Sequence, residues 1–184
     1  MNIRFSHALV LGALVFGLGS AVAQVTLAKN TTQKSDPFVV QAEKAYVSHI
    51  AAEKSGDVNL YKRVRSKAAV DEILDDLKKR DKSESDLGAE LISTSRFSTS
   101  LDGFRFLFAE GREGAGRLFY RKDWKDGNTE RIDFLGFVVR LENGQWKVDC
   151  AINGTGTKLG MGNAGKMQER TVEEVSSHRC VSLK

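Results

Sequence analysis

The chain is poor in several features that usually announce a function. Cysteine occurs twice, at Cys150 and Cys180, and histidine three times, at His7, His49 and His178. None of these stand at metal-ligand spacing, so no zinc site is expected. No serine lies in a glycine-flanked nucleophile elbow; Ser93, Ser95 and Ser98 sit in a strand-like run, so no hydrolase triad is expected. There is no sustained basic stripe. The longest basic run, Lys78-Lys79-Arg80, is flanked by Asp75, Asp76 and Asp81, and the net charge is only +4. Nucleic acid is therefore not an expected partner. The one marked apolar run, Ala8 to Leu18, has about eleven residues where a bilayer span needs about twenty.

That run belongs to a tripartite pattern. Arg4 precedes it, and Ala21-Val22-Ala23 before Gln24 is the small-x-small site of a signal peptidase. Residues 1–23 therefore read as a signal peptide, and the mature chain as periplasmic or secreted, with no membrane span after cleavage. A retained segment acting as an anchor is the alternative. Export removes the chain from ATP, reduced nicotinamides and reducing thiols, so no cofactor is expected. It also favours pairing Cys150 with Cys180, a bond closing a loop of about thirty residues and contributing roughly 3–4 kcal/mol if unstrained.

What remains fits one domain. Residues 24–36 are polar and read as a flexible leader. Asp36 is an N-cap candidate, and Pro37, the only proline, suits the first helical position. Phe38, Ala42, Ala45, Tyr46, His49 or Ile50 and Glu53 then recur at helical spacing, with Gly56 as a stop. Asp57 caps a second helix carrying Leu60, Tyr61 and Val64, and a third, over about residues 69–80, carries Val70, Ile73, Leu74 and Leu77. Residues 81–86 read as a charged loop.

After residue 88 the period changes to two, and Asp102-Gly103, Asp126-Gly127 and Asn143-Gly144 read as hairpin turns. Two-residue loops then fix the register. Across Asn143-Gly144, Leu141 faces Trp146, Val139 faces Val148, Phe137 faces Cys150 and Leu135 faces Ile152, an apolar face that needs helices to cover it. Phe134 and Val138 fall on the other, solvent-directed face. Across Asp102-Gly103, Phe104, Phe106 and Phe108 oppose Leu101, Thr99 and Phe97. Across Asp126-Gly127, Tyr120 faces Asp133 and Lys122 faces Arg131.

The order helix, Ser55-Gly56-Asp57, second helix, third helix and long meander ending in Glu142-Asn143-Gly144-Gln145-Trp146-Lys147-Val148 resembles the nuclear transport factor two-like superfamily. That superfamily includes ketosteroid isomerase-like and polyketide cyclase-like proteins. The resemblance covers residues 37–154. It implies an α+β fold of three N-terminal helices on a curved, mostly antiparallel meander sheet, closing into a cone whose open end is a pocket. Residues 155–184 add a Gly-rich tail with a short helix, tethered through Cys180 to Cys150. The superfamily hosts enzymes, binders and assembly domains, so the fold does not settle the function.

Asp133 and Tyr120 are the candidate acid-base pair, because opposed residues bring their Cβ atoms within about 4.5–5.5 Å. In ketosteroid isomerase-like enzymes a carboxylate base and a tyrosine donor fill those roles. A cross-strand hydrogen bond at a sheet edge is the plainer alternative. Lys122 and Arg131 form a rim suited to a polar or anionic ligand, and Tyr46, His49 and Tyr61 are candidate lining from the helices. Gly160-Met161-Gly162-Asn163-Ala164-Gly165-Lys166 mimics a phosphate loop, but Met167 stands where Ser or Thr should hold magnesium. Asn30-Thr31-Thr32 and Asn153-Gly154-Thr155 match the glycan acceptor pattern.

Three readings follow. The first is an exported, non-enzymatic binding or protein-interaction module, using the pocket or an outer sheet face that would pair with a second copy or a protein partner. The second is a small isomerase-, dehydratase- or cyclase-type pocket enzyme using Asp133 and Tyr120. The third is a periplasmic domain of a secretion or envelope complex.

Overall fold

The computed structural model describes residues 30–157. The expected signal peptide, the tail from residue 158 and the Cys180 half of the expected disulfide lie outside the described residues. Among the described residues the fold is α+β, with four α-helices and a five-stranded antiparallel open sheet.

Helix α1, Pro37–Ser55, begins where expected. The Asp36 carboxylate accepts from the Phe38 amide at 2.9 Å, Pro37 supplies a preset φ, and Gly56 ends the helix in the left-handed region at φ 67°. A Cβ on Gly56 would also stand 2.9 Å from the Gly88 carbonyl, so the site excludes side chains twice over. Helix α2, Val58–Val64, is capped by Asp57 accepting from Leu60 N at 2.9 Å. Helix α3, Lys67–Lys79, is capped by Ser66 accepting from Ala69 N at 3.1 Å.

The fourth helix overturns an expectation. The period-two reading that begins after residue 88 fails at its start, because Leu87–Thr94 forms α4, followed by a 3-10 turn at Ser95–Phe97. Leu87 and Leu91, one turn apart, are both fully buried among Ala52, Tyr61 and Leu77. Thr94 Oγ1 donates back to the Glu90 carbonyl at 3.0 Å. Tertiary burial of that pair outweighs the β propensity of a Ser/Thr-rich segment. Within the segment read as a leader, Asn30–Thr31 forms a short strand, β1, paired with Ala109 and Glu110.

Strands β2, Arg105–Arg112, β3, Ala115–Asp126, β4, Thr129–Glu142, and β5, Gln145–Thr157, complete an antiparallel meander in the order β1-β2-β3-β4-β5. The β2–β3 hairpin turns at residues 113–114, with Gly114 at φ 73°. Asp102-Gly103 is a turn leading into β2 rather than a strand hairpin, so Phe104, Phe106 and Phe108 do not pair with Leu101, Thr99 and Phe97. At the next hairpin Asp126 pairs with Thr129, leaving Gly127-Asn128 as the loop. The register therefore slips by two from the one counted around Asp126-Gly127. Tyr120 faces Leu135, Lys122 faces Asp133, and Trp124 faces Arg131. Faces are preserved by an even slip, but partners are not.

Across Asn143-Gly144, whose two residues both have positive φ, Leu141↔Trp146 and Val139↔Val148 pair as expected. A bulge then intervenes, and Val138 pairs with Cys150, Phe137 with Ala151 and Leu135 with Asn153. The extra residue, Asp149, puts Cys150 and Ile152 on the face opposite the one they were expected to share with Leu135 and Phe137.

Helix α1 covers the helix-facing side of the sheet. Phe38, Val39, Ala42, Tyr46 and Ile50 meet Leu118, Tyr120, Leu135, Phe137, Val139, Trp146 and Val148 in the main core. Tyr46, Phe137 and Tyr120 form a continuous stack, with ring centroids 4.3 and 5.6 Å apart. Phe38 meets Trp146 edge-on at 4.9 Å and lies over Gly116, where any Cβ would overlap its ring. On the opposite face Ala115, Phe119 and Val138 form a second apolar cluster with Leu107, Phe108 and Ile152. Val138 and Phe134, expected to meet solvent there, are both buried.

Candidate functional site

One cavity opens between the C-terminal half of α1 and β5, and a second lies beside it, between the segment before β2 and strands β3 to β5. The first, of about 260 Å³, is lined by Tyr46, His49 and Glu53 from α1, Arg65 after α2, Ser98 and Thr99, and Ala151 and Asn153 of β5. The second, of about 390 Å³, is lined by Ser100, Asp102, Phe104, Lys122 and Asp133 among others. Thr99 and Asn153 belong to both linings, and Asn153 Nδ2 donates to Thr99 Oγ1 between them.

Local geometry explains how the first lining assembles. His49 and Glu53 are four residues apart and so lie one above the other on α1. Arg65 is the extended C-cap of α2, bridged in parallel to Val148, and the Ser66 amide donates to the Val148 carbonyl at 2.9 Å. The 3-10 turn at Ser95–Phe97 delivers Ser98, whose hydroxyl donates to Glu53 Oε2. Tyr46 donates its hydroxyl to the Thr99 carbonyl at 2.7 Å.

His49 is only 4% exposed. Burial first, and the nearby Arg65 charge second, push its pKa down from 6.5 to about 3, so the imidazole is neutral at neutral pH. Its Nε2 is 3.4 Å from Glu53 Oε1, which makes this a contact between a neutral ring and a carboxylate rather than an ion pair. His49 Nδ1 and Arg65 Nε are buried without a hydrogen-bond partner. Burial holds the Glu53 carboxyl above its ordinary value, opposed by the Ser98 hydrogen bond and the Arg65 charge. Ser98 donates to the carboxylate and not to the imidazole, so Ser98, Glu53 and His49 are not arranged as a nucleophilic triad, in which histidine stands between serine and acid.

The sequence-derived candidates are distributed differently from their expected grouping. Tyr46 and His49 line the first cavity. Tyr61 neighbours His49, ring centroids 5.8 Å apart, and the Arg65 guanidinium lies over the Tyr61 ring at 5.7 Å from its centroid. Tyr120 is buried beneath α1 and donates to Glu43 Oε1 at 3.0 Å; burial, and then Glu43, raise its pKa far above that of an ordinary phenol. Asp133 lines the second cavity instead, with Oδ1 buried and without a hydrogen-bond partner. The two-residue slip therefore dissolves the Asp133–Tyr120 pair. Lys122 lines the second cavity too, its Nζ 3.4 Å from the Asp102 carbonyl. Arg131 is paired with Asp126 at 2.9 Å in the hairpin and lines neither cavity.

Glu53, Arg65, Ser98 and Asn153 were not among the expected site residues. The His49–Glu53 spacing was the one available signal. Arg65 and Ser98 reach the site through long-range contacts that no local pattern encodes. Among the described residues no group of three or more side chains could hold a metal ion, and no helix is long and apolar enough to cross a membrane. No family model matches the chain, and neither does any curated protein or any solved structure.

Proposed function

We propose that this chain is an exported, non-enzymatic binding module of the nuclear transport factor two-like kind, which takes a small polar ligand into the cavity between α1 and β5. The observation that carries this reading is His49. A neutral, nearly fully buried imidazole with an unpartnered nitrogen lines a cavity of about 260 Å³, and leaving such a nitrogen unsatisfied costs about 1–3 kcal/mol. A ligand that hydrogen-bonds there recovers that cost. Export and the tether from Cys180 to Cys150 complete the proposal; both rest on the sequence.

The pocket-enzyme alternative loses its main support, since Tyr120 is engaged by Glu43 and Asp133 lies in the other cavity. Interaction through the outer sheet face is weakened as well, because Phe134 and Val138 are buried.

A fragment screen read by amide chemical shifts tests the proposal. Binders should perturb His49, Glu53, Ser98 and Asn153, and Ala151→Phe, which fills the mouth, should weaken them about tenfold or more. Shifts confined to other surfaces, or binding indifferent to Ala151→Phe, would sink it.

A further inference from the structure

We infer that the ligand of the first cavity carries a protonated amino group, seated on Glu53. This rests on the binding reading above and adds the ligand's charge. The lining holds three carboxylates, Glu53, Glu72 and Asp149, against one guanidinium, Arg65. Asp149 is already answered, by Arg140 at 2.8 Å and by the Ser66 hydroxyl. Glu72 is engaged as well, which leaves Glu53 as the exception. Its side chain is 13% exposed, and its hydrogen-bond and contact partners at the cavity, Ser98 and His49, are both neutral at neutral pH.

A buried carboxylate met only by neutral groups is under-compensated, because dipoles offset just part of its lost hydration. Arg65 acts on Glu53 through its field, while its guanidinium lies against the Tyr61 ring. An ammonium entering the cavity would supply a direct charge-assisted hydrogen bond to Glu53 Oε1, the oxygen that Ser98 leaves open. His49 Nδ1, with no partner of its own, could accept a second N–H from the same group. The Tyr46 ring and the exposed Phe97 ring complete a lining that suits a cation with an apolar body. An anionic ligand fits poorly, since the basic residues expected to receive it, Lys122 and Arg131, are absent from this lining.

The test uses three probes on one ring, cyclohexylamine, cyclohexanol and cyclohexanecarboxylate, titrated calorimetrically into the purified protein at neutral pH. The amine should bind about tenfold more tightly than the alcohol, and the carboxylate more weakly than either. Glu53→Gln should erase the preference for amine over alcohol, whereas Ser98→Ala, which keeps the carboxylate, should retain it. If Glu53→Gln fails to fold, the ranking of the three probes on the natural protein still decides. Equal affinities, or a preference for the carboxylate, overturn the inference while leaving the cavity as a binding site. Failure of all three to bind at millimolar concentration overturns the cavity reading, and this inference with it.

Discussion

His49 titrates against the fold. In the unfolded chain it takes a proton near pH 6.5, but in the folded protein burial and Arg65 delay protonation to about 3. The unfolded state therefore binds more protons throughout that window, and stability falls as pH drops through it, by roughly 3–5 kcal/mol at the lower end. Glu53 works the other way. Its raised pKa lets the folded protein take up a proton first, so acidification relieves part of the cost of burying that carboxylate. The histidine shift is the larger, and the net slope should follow it. Urea unfolding between neutral pH and about pH 4 should show a falling midpoint for the natural protein and a much flatter one for His49→Gln. Parallel slopes would show that His49 is not the group responsible.

At the scale of elements, β5 is a strand of two halves joined at Asp149. Before the bulge, Trp146 and Val148 point into the main core; after it, Ala151 and Asn153 take the helix-facing side. Asp149 itself is not idle, because its two oxygens receive Ser66 Oγ and Arg140 Nε. Ser66 is fully buried and caps α3, so one carboxylate ties the sheet to the start of a helix. Asp149→Ala should cost about 1–3 kcal/mol in denaturant unfolding, through the stranded hydroxyl and guanidinium. A loss below about 0.5 kcal/mol would mean that the bulge holds without this anchor. Within α1, α2 and α3 the caps Asp36, Asp57 and Ser66 are local signals, and the first two were legible. The bulge was not: one inserted residue leaves no mark in a run of β formers, yet it inverts every facing assignment downstream.

For the whole molecule, α1 to α3 and the existence of the β3–β4 and β4–β5 hairpins could be read from spacing and turn residues; α4, the β2–β3 turn and the candidate site could not. Its residues come from α1, the bridge after α2, the segment after the 3-10 turn and the end of β5; only packing brings these together. The expected link from β5 to the tail belongs at this scale. Non-reducing peptide mapping of the protein produced in an oxidising compartment should recover a single peptide pair joined through Cys150 and Cys180. Reduction should lower the thermal midpoint, in line with roughly 3–4 kcal/mol for a loop of this length. Two cysteines both alkylated without prior reduction would refute the link.

The ring of Phe38 occupies the space that a side chain at position 116 would need, at the point where α1 crosses β3. Neither position can drift alone: a methyl group at 116 must be matched by a smaller residue at 38, and a smaller residue at 38 leaves a hollow that only growth at 116 repairs. Evolution can change this pair together or leave it untouched, so the two columns should vary as one wherever other sequences of this fold are compared.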